Sequence, residues 1–293
     1  MRDSKVIEMQ QKAEINRLLS RVLSRPVFTA IAKGESPQRV FKSIYETGVV
    51  SPELPMAELF EVAFDALHAD YRNEYVYKTA IANKIVFGRH SPRTASLLIE
   101  LQVGKSIVDA AMFNGTSTAY EIKTEFDTPR RLLTQTPDYL RAFDKVYIVT
   151  HPDYINMHAQ AIDERVGILS LDKKDVIRVI KPAVSNKENV DPKTVFRILR
   201  REEYVSIIEK ITGRKINLPN GVVSSYCETV FAGFDKETIH AEFVSAMRLR
   251  TTQRSTVDFI MALPKHLRVL GYSAQLSTPQ KKKILEKLDV KLT

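Results

Sequence analysis

Cysteine and tryptophan are almost missing from this chain, which has one cysteine, Cys227, and no tryptophan in 293 residues. A lone thiol excludes an intramolecular disulfide and any zinc cluster built from several cysteines of one chain, and it fits a reducing, cytoplasmic setting. Long apolar runs are missing as well. No stretch approaches the ~20 consecutive apolar residues that a membrane-spanning helix needs. The segment from Met1 to Ser20 is charged throughout and lacks the apolar core of a secretory signal. The six histidines show no H-E-x-x-H or comparable metal spacing. With 44% hydrophobic and 27% charged residues and only 10 glycines and 13 prolines, the composition predicts a folded, soluble protein without a low-complexity tract. The length suits one mid-sized catalytic core with helical additions, or two domains.

Lysine and arginine outnumber the acids 44 to 35, a formal net charge of +9. Cationic side chains that neutralise phosphates release condensed counterions, so this balance favours a polyanionic partner. The charge is spread along the chain, and composition alone does not select nucleic acid.

The hydrophobic pattern divides the chain into a helical region at 1–70, an α/β core at 71–182 and a second helical region at 183–293. Ile15, Leu18, Leu19 and Val22 lie on one helical face that should stop before Pro26. Further helices are expected near Pro37–Tyr45, Met56–Ala69 and Glu74–Val86. Strands are predicted at Leu97–Val103, Ser106–Phe113, Thr118–Phe126, Lys145–Thr150, Val166–Leu171 and Val176–Ile180. Asn114-Gly115 suggests a hairpin between the second and third. Asp127-Thr128-Pro129 then offers a cap and a proline at a helix start. A hairpin followed by strand, helix and strand points to a mixed sheet. Beyond it, Val195–Thr212, Lys236–Arg250 and Pro279–Leu288 are the clearest helices.

The most informative words are Ile107-Val108-Asp109 and Tyr120-Glu121-Ile122-Lys123. Side chains at i and i+2 of a strand share a face, so Glu121 and Lys123 point together. A hairpin can set Asp109 beside them. Two carboxylates and an ammonium on an otherwise apolar strand pair suit phosphodiester hydrolysis. Hard oxygens hold Mg²⁺, the metal acidifies a bound water and neutralises phosphate charge, and the lysine orients water or stabilises developing charge. An E-x-K triplet alone is what any half-solvated strand shows. The D-x11-E-x-K spacing, the turn between and the helix after are what narrow it.

The run from Ile107 to Val149, IVDAAMFNGTSTAYEIKTEFDTPRRLLTQTPDYLRAFDKVYIV, resembles the PD-(D/E)xK nuclease superfamily. More narrowly, it is similar to a bacterial branch with the signature Y-E-I-K-[ST]-x-x-D-T-x-x-R-L-x-x-Q-x-x-x-Y. The likeness extends more loosely from Glu74 to about Glu203 and leaves both termini uncovered. It implies a restriction-endonuclease-like mixed sheet flanked by helices, with Asp109 and Glu121 as ligands of Mg²⁺ (or Mn²⁺) and Lys123 as the catalytic lysine. Its further acidic residue falls on Glu74, in NEYVYKTAIANK, with Glu100, in LLIELQVG, competing for the role. Gln135 and Tyr139 match the Q-x-x-x-Y element, which would hydrogen-bond DNA backbone or support the lysine strand. Pro137 between them predicts a kink, or a fresh helix start capped by Thr136. Arg130 and Arg131 are candidate phosphate contacts. Val108 stands where the superfamily name has proline, a position without chemistry.

Other motifs lead elsewhere. Gly104-Lys105-Ser106 lacks the upstream glycine of a phosphate-binding loop and reads as a turn. His151-Pro152-Asp153 follows the fourth strand without a distinctive pattern. Arg248, Arg250 and Arg254, then Lys281, Lys282 and Lys283, could face DNA or form ordinary solvated faces, while Ile284, Leu285 and Leu288 pack. The expectation is a metal-dependent nuclease acting on DNA, whose helical ends shape access or recruit a protein partner. The alternatives are a binding module without turnover, and a nuclease subunit active only with its partner.

Overall fold

In the computed structural model the described residues are 2–291, with side chains described from residue 8 onward. Contacts divide the chain into two compact units, one made of residues 1–85 with 254–293 and the other of residues 86–253.

The first unit is helical. Arg2–Val22 packs against Gln38–Tyr45 and Met56–Asp70, and the C-terminal helix Thr278–Leu288 packs against Arg25–Lys33. The expected packing residues Ile284 and Leu288 are buried. The late segment is tied to the early one by a bridge between Pro55 and Lys291 and by the Met56 N–H bonding the Val290 carbonyl at 3.1 Å. The helix expected over Glu74–Val86 is α-helical only from Glu74 to Ala80 and then widens into a π-helical turn at Ile81–Val86. Its start is capped by the Asn73 side chain, which accepts the Val76 N–H.

The second unit is built on a six-stranded mixed sheet in sequential order. Its strands are β1 (Ser96–Val103), β2 (Ser106–Phe113), β3 (Ser117–Lys123), β4 (Lys145–Thr150), β5 (Gly167–Leu171) and β6 (Ile177–Lys181). β1, β2 and β3 pair antiparallel, β3, β4 and β5 parallel, and β6 returns antiparallel. The tight β1–β2 turn uses Gly104 at φ 59, where only glycine is unstrained. Asp138 holds this turn by accepting from the Lys105 N–H and the Ser106 hydroxyl. The β2–β3 connection is longer than two residues, with Gly115 at φ 67.

β3 stops at Lys123, short of the expected Phe126, because Asp127 Oδ2 accepts both the Thr124 N–H and the Thr124 hydroxyl and turns the chain. The helix expected over Val195–Thr212 is two, Pro192–Ile198 and Arg201–Thr212. Between them, the Arg200 N–H is taken by Glu203 and a new helix begins. The core on one side of the sheet joins Ala119, Val146 and Ile148 to Tyr139 and Phe143, and continues to Phe196, Phe231, Phe243 and Met247 of the later helices. Lys236–Thr252 packs on β1 and β2 and thereby covers that sheet edge. Among the described residues, no helix is long and apolar enough to cross a membrane.

Candidate active site

Backbone pairing is interrupted around Asp109, and Asp109, Glu121 and Lys123 gather there. Between β1 and β2 the ladder runs through Ile99↔Ala110 and Leu101↔Val108. Glu100 and Asp109 lie level between these pairs, and Glu100 has φ 56, a left-handed conformation unusual for a residue with a Cβ. Between β2 and β3 the ladder ends at Ala110↔Tyr120. One further step of that register sets Asp109 level with Glu121. Val108 and Ala111 both join the core, which strict two-residue alternation would forbid, so β2 is locally irregular at Asp109. The irregularity frees the carboxylate to act as a ladder acceptor: Asp109 Oδ2 takes the Ile122 N–H at 2.7 Å.

Glu121 and Lys123 share a face, as their spacing predicts. Lys123 Nζ donates to Glu121 Oε1 at 2.6 Å and to Gln135 Oε1 at 3.1 Å. Both charged residues are nearly sealed, Glu121 at 1% and Lys123 at 5% exposure, so they form a buried ion pair that depends on its extra hydrogen bonds. Tyr139 Oη lies 2.7 Å from Glu121 Oε2 and 2.7 Å from the Ile107 carbonyl oxygen. Burial pushes the Glu121 carboxyl up, against the opposing pull of the Lys123 ammonium and of hydrogen bonds from Lys123, Tyr139 and Gln135. Burial, reinforced by the Glu121 charge, also raises the Tyr139 phenol and keeps it protonated.

The helix that carries Gln135 and Tyr139 is unbroken from Leu132 to Leu140 despite Pro137. Thr136 is not a new cap; its hydroxyl bonds back to the Leu132 carbonyl within the same helix. Pro137 lies in the helix's second turn, and the carbonyl left without its N–H belongs to Leu133, an exposed residue that water can serve. Gln135 and Tyr139 therefore stand one turn apart on one face, and both reach the Glu121–Lys123 pair. Of the two roles open to them, this geometry is that of support for the lysine strand, and Tyr139 is fully buried.

The remaining expected residues are placed as follows. Arg130 and Arg131 are exposed on the turn that leads into this helix. Glu74 belongs to the helical unit, where its carboxylate pairs with Lys78. Arg250 is directed inward and bonds Glu203 and the Ile198 carbonyl. His151 caps the short turn after β4 by accepting the Asp153 N–H. Lys281 bonds the Thr256 hydroxyl.

Sequence reading missed three polar residues of the second unit. The parallel register aligns Lys123 with Thr150 and Thr150 with Ser170, so the lysine begins a polar row across β3, β4 and β5. His158, on the helix Ile155–Ala159, feels the Lys123 charge. Only the strand register exposes this row, because the residues are far apart in sequence and carry no motif. Among the described residues, no group of three or more His, Cys, Asp and Glu side chains is gathered at metal-holding distance.

The sequence profile of the bacteriophage P4 protein cII family matches residues 67–270. Protein cII of Enterobacteria phage P4 is 27% identical over 123 residues, which cover 41% of this chain and 41% of that protein. The matched stretch thus spans about two fifths of its relative's length. No solved structure matches.

Proposed function

The chain belongs to the bacteriophage P4 protein cII family, and on the geometry of the Asp109–Glu121–Lys123 site we propose that it is a metal-dependent nuclease of PD-(D/E)xK type with a restriction-endonuclease-like core. The family's name carries no chemistry of its own. What supports the reading is one observation: the buried Glu121–Lys123 pair stands beside Asp109 at the point where the sheet's ladders open.

The donor set suits a hard cation. Mg²⁺ accepts one or two carboxylates, keeps several waters and takes substrate phosphate oxygens for the rest of its shell. Asp109 and Glu121 supply two carboxylates, and a carboxylate oxygen that accepts one hydrogen bond still has a further lone pair to offer. Glu100, level with Asp109 across β1 and β2 and exposed, is the third acid assigned to this centre, while Glu74 lies in the helical unit. When bound, Mg²⁺ or Mn²⁺ supplies positive charge to the scissile phosphate and lowers the pKa of a coordinated water.

The chain's own residues do the rest. Asp109 is fixed by the Ile122 N–H, so its carboxylate does not reorganise during the reaction. Gln135 and Glu121 hold the Lys123 ammonium on two sides. Its positive charge steadies the charge that develops on the phosphate. Arg130 and Arg131 meet backbone phosphates at the rim. DNA is the proposed polymer on the resemblance to the superfamily. The test is metal-stimulated cleavage by the wild type that is lost in Asp109→Ala and in Glu121→Ala. Equal cleavage by these variants would overturn the assignment.

A further inference from the structure

Two buried side chains beside Lys123 have polar atoms without partners. His158 is 0% exposed, and among the described residues neither Nδ1 nor Nε2 has a hydrogen-bond partner. Thr150 is also 0% exposed, and its Oγ1 is equally unpartnered. Buried polar groups are almost always satisfied, and orphaned ones call for an explanation such as ordered water. Two in one region are harder to treat as isolated defects.

Register and charge bring both toward the lysine. Thr150 is the direct partner of Lys123 in the parallel β3–β4 ladder, so their side chains leave the sheet on the same side. The helix bearing His158 packs on β5, the next strand in that row. Burial and the nearby Lys123 charge both push the His158 imidazole down, with Asp127 pulling the other way. A neutral imidazole offers one donor and one acceptor nitrogen. Lys123, for its part, has three N–H donors and two assigned acceptors, Glu121 and Gln135.

We infer that ordered water occupies a buried polar site formed by Thr150, His158 and Lys123, and that His158 positions the lysine ammonium through it. The water accepts from the lysine N–H and the threonine O–H and donates to the acceptor nitrogen of the imidazole, which gives these three groups a partner without adding charge. The ammonium is then steadied from behind as well as by Glu121 and Gln135. The water site stands on burial, strand register and the unpartnered atoms together with the Lys123 charge felt at His158, whereas its bearing on catalysis rests on the nuclease reading.

A double-mutant cycle of His158→Phe and Thr150→Val, read as Tm, separates a wet site from a dry one. A water bridge predicts that each single change lowers Tm, by roughly 2–4 °C, and that the double variant loses little more than the worse single, because both remove the same water. A dry pocket predicts that each change leaves Tm unchanged or raises it and that the effects add; that result would overturn the inference. The Lys123 arm is read by the ¹⁵N signal of its ammonium, which should shift in His158→Phe and move back in His158→Gln. An unmoved signal would refute the positioning role. In the cleavage assay, His158→Phe should lower kcat about tenfold at unchanged KM, about one factor-of-ten step of barrier, with partial recovery in His158→Gln. The Tm and NMR readouts remain decisive if no cleavage is found, so failure of the nuclease reading is distinguishable from failure of this one.

Discussion

Tyr139 holds Glu121 through a hydroxyl that stands between two acceptors: the phenol oxygen is 2.7 Å from Glu121 Oε2 and 2.7 Å from the carbonyl oxygen of Ile107. A phenol has one hydrogen to donate. Held between two acceptors, it is shared in a three-centre hydrogen bond, and its share on Glu121 favours the ionised carboxylate that pairs with Lys123. Tyr139→Phe removes the donor and leaves a buried acceptor bare. Stability should fall by about 1–3 kcal/mol in urea unfolding, and an unchanged midpoint would show that the hydroxyl is idle.

Glu121 also gives a signed pH prediction. Its folded pKa lies above the unfolded value, so the metal-free folded state holds that proton longer than the unfolded chain does. The contribution to stability is greatest below the unfolded pKa and is lost as pH rises through the folded one. A divalent cation binds the ionised carboxylate and competes with that proton. The increase in Tm on adding Mg²⁺ should therefore grow from about pH 5 to about pH 8. A flat or absent increment would count against Glu121 as a ligand.

Glu100 should show stability and function pulling apart. A non-glycine residue at φ 56 carries strain of order 1–3 kcal/mol. Glu100→Gly should relieve part of it and raise the urea midpoint. The same change should weaken Mg²⁺ binding if the carboxylate belongs to the centre. A variant that gains stability and keeps its metal affinity would return Glu100 to an accident of the β1 bend.

In the helical unit, His266 is buried, its Nε2 has no partner among the described residues, and its ring stacks on Phe64. Burial pushes its pKa down to about 4 from 6.5. Because the folded value is depressed, its contribution to stability is complete above the unfolded pKa and is lost as pH falls from 6.5 through 4. The difference of 2.5 pH units corresponds to about 3 kcal/mol at most. His266→Phe should flatten this part of the stability profile; an unaltered slope would assign acid sensitivity to other groups.

Much of the second unit was legible because strands announce themselves by local pattern. All six fall within a few residues of their expected spans, and Lys145–Thr150 coincides with β4. Glu121 and Lys123 share a face for the same reason, period two. Less legible were features set by tertiary partners. The early stop of β3 depends on Asp127 turning back to Thr124. The continuity of the helix through Pro137 depends on an exposed carbonyl that tolerates the loss of one bond. The joining of residues 254–293 to residues 1–85 in one unit depends on contacts such as Met56 with Val290, which no periodicity encodes. The polar row from Lys123 to Ser170 appears only once parallel register is known.

The most direct test of the central claim is cleavage of linear, circular, single-stranded and branched DNA and of RNA by the wild type and by Lys123→Ala, each with Mg²⁺, Mn²⁺ or EDTA. Cleavage by the wild type that requires metal and is lost without the Lys123 ammonium is the predicted result. Cleavage that persists equally in Lys123→Ala or in EDTA, or a wild type inert on every substrate with either metal, would contradict it.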